Sequence, residues 1–153
     1  MLPPFQVFLD EQRDVVYRFL LASVGAGEVD DCFQETFIAA LRAYPTLRDG
    51  SRLRAWVLKI AERKAIDSHR SRARRPEPHD VVPEDGEVGP APEPEPPIWA
   101  AVRTLPAKQR SAVVQRYVND LPYREIGDII GCSEEAARQN VRAGVKRLRE
   151  VWL

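Results

Sequence analysis

The chain has 153 residues, 44% hydrophobic and 30% charged, which suits one ordinary domain or two small ones with real cores. No apolar run approaches the about 18 residues needed to cross a bilayer, and the opening Met1-Leu2-Pro3-Pro4-Phe5 lacks the basic segment of a secretory signal. Its 23 bases and 23 acids cancel, but the charge is segregated. Residues 1–50 carry eight acids and four bases; 51–75 carry nine bases and two acids; 76–97 carry seven acids and no base; 98–153 carry ten bases and six acids. Local fields therefore matter more than the total, because salt confines each to about 10 Å.

In chain order, Asp10 to Val24 reads as a helix broken by Gly25-Ala26-Gly27. A second helix follows, with Val29, Phe33, Phe37, Ala40 and Leu41 as an apolar stripe. Asp30, Asp31, Gln34 and Glu35 share another face, and Tyr44-Pro45 ends the helix. Ser51 is the expected N-cap of a long helix from Arg52 to about Arg74. Leu53, Val57, Ile60 and Ala61 are placed for a core, while Lys59, Arg63, Arg70 and Arg74 build a basic stripe beginning near Trp56. Such a helix suits a nucleic-acid backbone with a stacking surface for an unpaired base. A solvated cationic face with one core tryptophan is the alternative.

Residues 76–97, with eight prolines and no aromatic, cannot bury enough surface to offset the entropy of ordering. They read as a flexible acidic linker, about 70 Å fully extended and about 26 Å as a coil. Such a tether can also fold back on a basic lobe and occlude DNA. The expectation is an all-α protein of two small helical domains, 5–75 and 98–153, joined by this proline-rich segment.

In the second lobe, Trp99 to Leu105 and Lys108 to Val118 read as helices, the latter with Val113, Val114 and Tyr117 inward. Tyr123 to Ile130, then Gly131 as a left-handed C-cap and Ser133 as the next N-cap, form a helix-turn-helix. Ala137, Val141, Val145 and Leu148 form the last helix's buried stripe, and Arg138, Gln139, Arg142, Lys146 and Arg149 point elsewhere. Arginine and glutamine can address guanine and adenine edges, and the remaining bases suit phosphates. Cys32 and Cys132 stand far apart and read as buried thiols of a reducing cytoplasm; His69 and His79 are solitary. No paired carboxylates, Ser/His set, phosphate loop or metal spacing can be assembled, so neither an enzyme nor a cofactor or metal is expected.

Val29-Asp30-Asp31-Cys32-Phe33-Gln34-Glu35-Thr36-Phe37, Leu53 to Ala61 and Ala65-Ile66-Asp67 with its arginine run together closely resemble sigma-70 region 2. Leu105 to Arg110, Arg116-Tyr117 and the helix-turn-helix resemble region 4. The short length and the linker between them resemble the extracytoplasmic-function (ECF, group IV) subfamily of RNA polymerase sigma factors. The resemblance implies that Asp30, Asp31, Gln34 and Glu35 dock on the β′ clamp helices of core polymerase. It implies −10 contacts through Leu47, Trp56, Lys59, Arg63, Arg70 and Arg74. It implies −35 reading through Arg124, Arg138, Gln139, Asn140, Arg142 and Lys146. The implied partners are core polymerase (β′ clamp helices and β flap), promoter DNA and, commonly in the family, an anti-sigma factor covering both lobes. Arg63 stands where many members have asparagine and Leu47 where many have phenylalanine. Ala143 replaces a frequent arginine, and Glu134 and Glu135 add negative charge to the reader's start, which implies an altered −35 preference. The competing reading is an autonomous helix-turn-helix regulator with a helical sensor lobe, which would not need the acidic face.

Overall fold

The computed structural model describes residues 2–74 and 95–152, all-α, with no strand among them. Helix α1 spans Phe5–Val24, beginning five residues before the expected Asp10. Phe5 and Phe8 extend it: one turn apart, their rings pack on Tyr44 with centroids 5.3 and 5.2 Å away. Pro4, with φ −54°, sits just before the first turn, and its carbonyl accepts the Phe8 N–H at 3.1 Å.

Helix α2 spans Val29–Ala43 and buries Val29, Cys32, Thr36, Phe37 and Ala40. The expected stripe is rotated: Phe33 is only half-buried and Leu41 is 54% exposed, because the face toward α1 and α3 centres on Cys32 and Thr36. Tyr44 keeps helical angles and leads a 3-10 turn, Tyr44–Thr46, where the missing N–H of Pro45 costs nothing. Its packed ring and a hydroxyl donating to the Pro3 carbonyl hold it against the usual pre-proline preference.

Helix α3 spans Leu53–Arg74. Ser51 is not its cap as expected: the Ser51 N–H is given to Asp49 Oδ1 at 2.8 Å, and the Arg52 carbonyl accepts the first helical bond, from Trp56, at 2.9 Å. Val57, Leu58, Ala61 and Ala65 are buried, with Leu53 and Ile60 at the core's edge. Each fully buried aliphatic or aromatic side chain contributes about 1.5–3 kcal/mol.

Of the expected linker only Glu95 to Pro97 is described; the remainder, with His79, lies outside the described residues. Helix α4 spans Pro97–Arg103, α5 Ala107–Tyr117, α6 Tyr123–Ile130 and α7 Glu134–Trp152. In α5 every residue from Arg110 to Gln115 is buried, because α1, α6 and α7 surround it. Tyr117, expected inward, is 66% exposed: it lies in the last turn, and Gln115 takes the inward place.

The helix-turn-helix forms as expected. Gly131 adopts φ 76° and ψ 41°, a left-handed cap that costs other residues roughly 1–2 kcal/mol. Ser133 Oγ accepts the Ala136 N–H at 3.0 Å. Gly127 is needed for space: a Cβ there would lie 2.6 Å from the Cys132 carbonyl oxygen. Ala137 and Val141 are buried, and Val145 and Leu148 pack at the core's margin.

Helix α1 is shared between the lobes, packing on α2 and α3 on one side and on α4 and α5 on the other. Helix α3 also packs on α6. The buried side chains of both lobes form one continuous cluster.

Candidate docking and nucleic-acid surfaces

The inward stripe of α2 leaves Asp30, Asp31, Gln34 and Glu35 on its outer face, all exposed. None of these side chains makes a hydrogen bond or ion pair with another described residue. Asp31 and Glu35 also line a cleft of about 240 Å³ between α2 and α3, opposite Lys64 and Asp67. Beneath them Cys32 is buried with its thiol toward the Lys64 carbonyl, and burial pushes that thiol up from the usual value, with Glu35, Glu28 and Asp31 adding to the shift and the neighbouring Ser68 hydroxyl opposing it. Sequence reasoning missed two neighbours, Ile38 (44% exposed) and Leu41. Their signal was an apolar residue one turn beyond the acidic pairs, on an otherwise polar face.

Along α3, Lys59, Arg63, Arg70 and Arg74 are all exposed and form no ion pair with another described residue, so the basic stripe stands clear of the core. Trp56 and Leu47 do not stand free beside it. Trp56 is half-buried with its ring 5.8 Å from Phe8 and 6.3 Å from Tyr44, and Leu47 packs against the same core. His69 Nε2 donates to the Ser23 carbonyl at 2.7 Å, tying α3 to the end of α1. Burial lowers its pKa, partly opposed by that hydrogen bond, and nearby arginines lower it further.

On the reader, Arg124, Gln139, Arg142 and Lys146 are exposed. Arg138 and Asn140 are engaged within the protein. The Arg138 guanidinium meets Glu135 at 2.6 Å and Glu134 at 3.7 Å, and lies 4.9 Å from the centre of the Tyr123 ring. Arg116 lies over the same ring at 4.4 Å, so one phenol meets two cations, an attraction of about 0.5–1 kcal/mol each at exposed sites. Asn140 Nδ2 donates to the Ala136 carbonyl at 3.0 Å. Glu134 and Glu135, noted above as a charge at the helix start, thus also neutralise the first reader arginine.

Four further charged residues meet where α3 touches α6. Arg54 donates to both oxygens of Glu125, at 2.6 and 2.5 Å, and Arg52 lies 3.4 Å from Asp128. Glu125 holds the Arg54 pKa above its usual value. Nearby, buried Glu62 of α3 faces the Ser111 hydroxyl and Arg110 of α5; burial raises its pKa, opposed by both neighbours. Arg110 itself donates to the Leu105 carbonyl at 3.1 Å. No three metal-ligating side chains gather among the described residues, and no described helix is long and apolar enough to cross a membrane.

Residues 8–75 match the family model of sigma-70 region 2, and residues 97–148 that of sigma-70 region 4. The ECF RNA polymerase sigma factor SigE of Mycolicibacterium smegmatis is 29% identical across 97% of this chain, which spans 62% of that relative's length. The ECF sigma factor SigD of Mycobacterium tuberculosis is 31% identical across 93% of this chain and 74% of its own length. Among solved structures, the sigma factor RpoE bound to the anti-sigma factor NepR from Bartonella quintana shares the fold. Its TM-score is 0.73 at 21% identity, over 97% of this chain and 96% of that one. CnrH in complex with the cytosolic domain of CnrY gives a TM-score of 0.70 at 17% identity, over 97% and 86%.

Proposed function

Because the chain belongs to the sigma-70 family, in its extracytoplasmic-function group, we propose that it binds core RNA polymerase and directs promoter-specific initiation. The observation that carries this reading is the exposed, unpaired Asp30-Asp31-Gln34-Glu35 face on the lobe that also bears the α3 basic stripe. A DNA-binding regulator acting alone has no use for that acidic face. A sigma factor needs it for the clamp helices of β′, with Ile38 and Leu41 supplying apolar contact at its edge.

The division of labour follows from charge and shape. Residues 5–75 would dock and meet the −10 element through Lys59, Arg63, Arg70 and Arg74, with Leu47 and Trp56 forming the floor beneath the stripe. Extruding a base costs a few kcal/mol, so a surface that accepts it holds the strands apart. Residues 76–97 would tether, and 98–153 would sit by the β flap and read the −35 duplex. There Gln139, Arg142, Lys146 and Arg124 are immediately available, while Arg138 must exchange its carboxylate partners for a base or phosphate and Asn140 must turn from its backbone partner. The protein would contribute recognition and strand capture, with no bond chemistry of its own, and would act inside the cell beside polymerase. Two solved neighbours are complexes with NepR and with part of CnrY, which supports an inhibitory partner of that kind here.

Run-off transcription from a genomic DNA pool, using purified core enzyme with and without this protein, tests the reading. Protein-dependent starts sharing one upstream motif are the expected result. Failure to bind core polymerase, together with tight unaided binding to duplex sites, would overturn it in favour of an autonomous regulator.

A further inference from the structure

We propose that Tyr123 is a positioning residue for promoter reading: its ring, held where α5, α6 and α7 meet, aims the Arg138 guanidinium so that guanine is selected at one position of the −35 duplex. The inference deepens the −35 reading proposed above and rests on it. The Arg138 guanidinium lies over the Tyr123 ring, 4.9 Å from its centre, and Glu135 and Glu134 meet it at 2.6 and 3.7 Å. One reader arginine is thus held by both a ring and two carboxylates. Arg142 and Lys146, by contrast, are exposed and form no ion pair with another described residue.

The ring is a fixed surface. Tyr123 opens α6, and its side chain packs at the margin of the core. Arg116, near the end of α5, lies over the same ring at 4.4 Å and is itself tied to the Leu121 carbonyl at 3.1 Å. The segment that carries the ring is pinned as well. The Leu121 N–H donates to the Gln115 carbonyl at 3.1 Å, and the Asn119 amide nitrogen donates to the Val15 carbonyl of α1 at 3.1 Å. Asp120, between them, takes a left-handed backbone with φ 53°. The Tyr123 hydroxyl makes no hydrogen bond with another described residue, so the face of the ring is the part that acts.

The ring and the carboxylates make different demands on Arg138. A carboxylate takes guanidinium N–H groups, the same donors that address O6 and N7 of guanine. A ring attracts the charge as a whole through its quadrupole and takes no N–H. Arg138 can therefore leave Glu134 and Glu135 for a guanine while keeping the ring. A guanidinium on a free stem that meets the wrong base can swing to a neighbouring phosphate, which softens the penalty for a mismatch. One kept on a ring stays where it is, and the mismatch leaves its N–H groups unpaired. Tyr123 thus acts on the difference between right and wrong bases more than on affinity.

The test selects duplexes from a pool randomised over the −35 element, using the full chain both with core polymerase and alone; the form that selects a motif then serves for the variants. Arg138→Ala identifies the position by abolishing its guanine preference, about tenfold in wild type. Tyr123→Leu should cut the preference at that position about threefold or more and leave the other positions as they were. Its affinity for a random-sequence duplex should change by no more than about twofold, because phosphate contacts dominate that binding. Tyr123→Phe, which keeps the ring, should retain the wild-type preference, and Tyr123→Leu added to Arg138→Ala should change nothing further at that position. A second readout needs neither DNA nor polymerase. In nitrogen-15 NMR spectra the Arg138 Nε–H proton should be shifted upfield by the ring in wild type and Tyr123→Phe, and should return in Tyr123→Leu. Circular dichroism checks that helix content is unchanged; if Tyr123→Leu misfolds, Tyr123→Met takes its place. An Arg138 signal that does not respond to loss of the ring removes the contact. Full guanine preference in Tyr123→Leu removes the positioning role, and so does an equal loss at every −35 position, the mark of a ring that only supports the fold. A pool from which neither form selects a motif removes it too. A motif selected by the chain alone, with core polymerase ignored, would overturn the proposed function and leave the part assigned to Tyr123 standing.

Discussion

The acidic face of α2 and the basic face of α7 treat charge in opposite ways. Asp30, Asp31 and Glu35 stand unpaired in solvent, whereas Arg138 is matched by Glu134 and Glu135 and braced on Tyr123. An unpaired field reaches outward and speeds encounter with an oppositely charged partner. A matched arginine adds little to that field, but its position is defined before DNA arrives. The first arrangement favours capture of a large partner, and the second favours discrimination once held.

That contrast can be broken most severely at α2. Asp31→Lys with Glu35→Lys should weaken core polymerase binding by a hundredfold or more, roughly 2.7 kcal/mol, with an unchanged melting curve; retained affinity in a binding titration would remove the docking assignment. The reader depends instead on its scaffold. Gly127→Val drives a side chain into the Cys132 carbonyl and should destabilise the second lobe by about 1–3 kcal/mol, seen as a lowered thermal midpoint. Arg138→Ala should weaken −35 duplex binding by the bound enzyme about tenfold, about 1.4 kcal/mol, with a smaller effect on strand opening followed by permanganate reactivity. Glu135→Gln should change duplex affinity only two- to threefold, upward, because exposed pairs are worth about 0.2–1 kcal/mol; its sharper mark should be poorer discrimination among −35 variants.

Glu62 offers a pH test of the packing between the lobes. Burial raises its pKa above the usual 4.5, so the native state holds a proton that the unfolded chain releases. Its contribution is therefore fully present below that value and is lost as pH climbs through the raised one. Melting temperatures of wild type and Glu62→Gln should diverge across that interval, the variant showing the flatter profile. Parallel profiles would show that Glu62 does not set the slope.

Much of this was legible because it is local. Gly131, Ser133 and the Ala137-Val141 spacing encode the turn and reader within a dozen residues, and the structure follows them closely. The exposed α2 acids and α3 bases follow from helical period alone. Leu41 and Tyr117 were misjudged because period identifies an apolar face but not where its neighbours end. The start of α1 was missed because Phe5 and Phe8 are helical only through rings contributed by Tyr44 and Trp56. Arg54 and Glu125, 71 residues apart, carry no local sign of each other; each alone reads as an ordinary surface charge.

The Asn119 amide nitrogen donates to the backbone of α1, at the Val15 carbonyl, while its oxygen accepts from the Arg18 side chain. The Val15 carbonyl already serves its own helix and accepts through its second lone pair. Replacing Val15 by another helix-forming residue leaves that acceptor in place. The mutational target of this tie is therefore one-sided, with drift tolerated at position 15 and penalised at position 119.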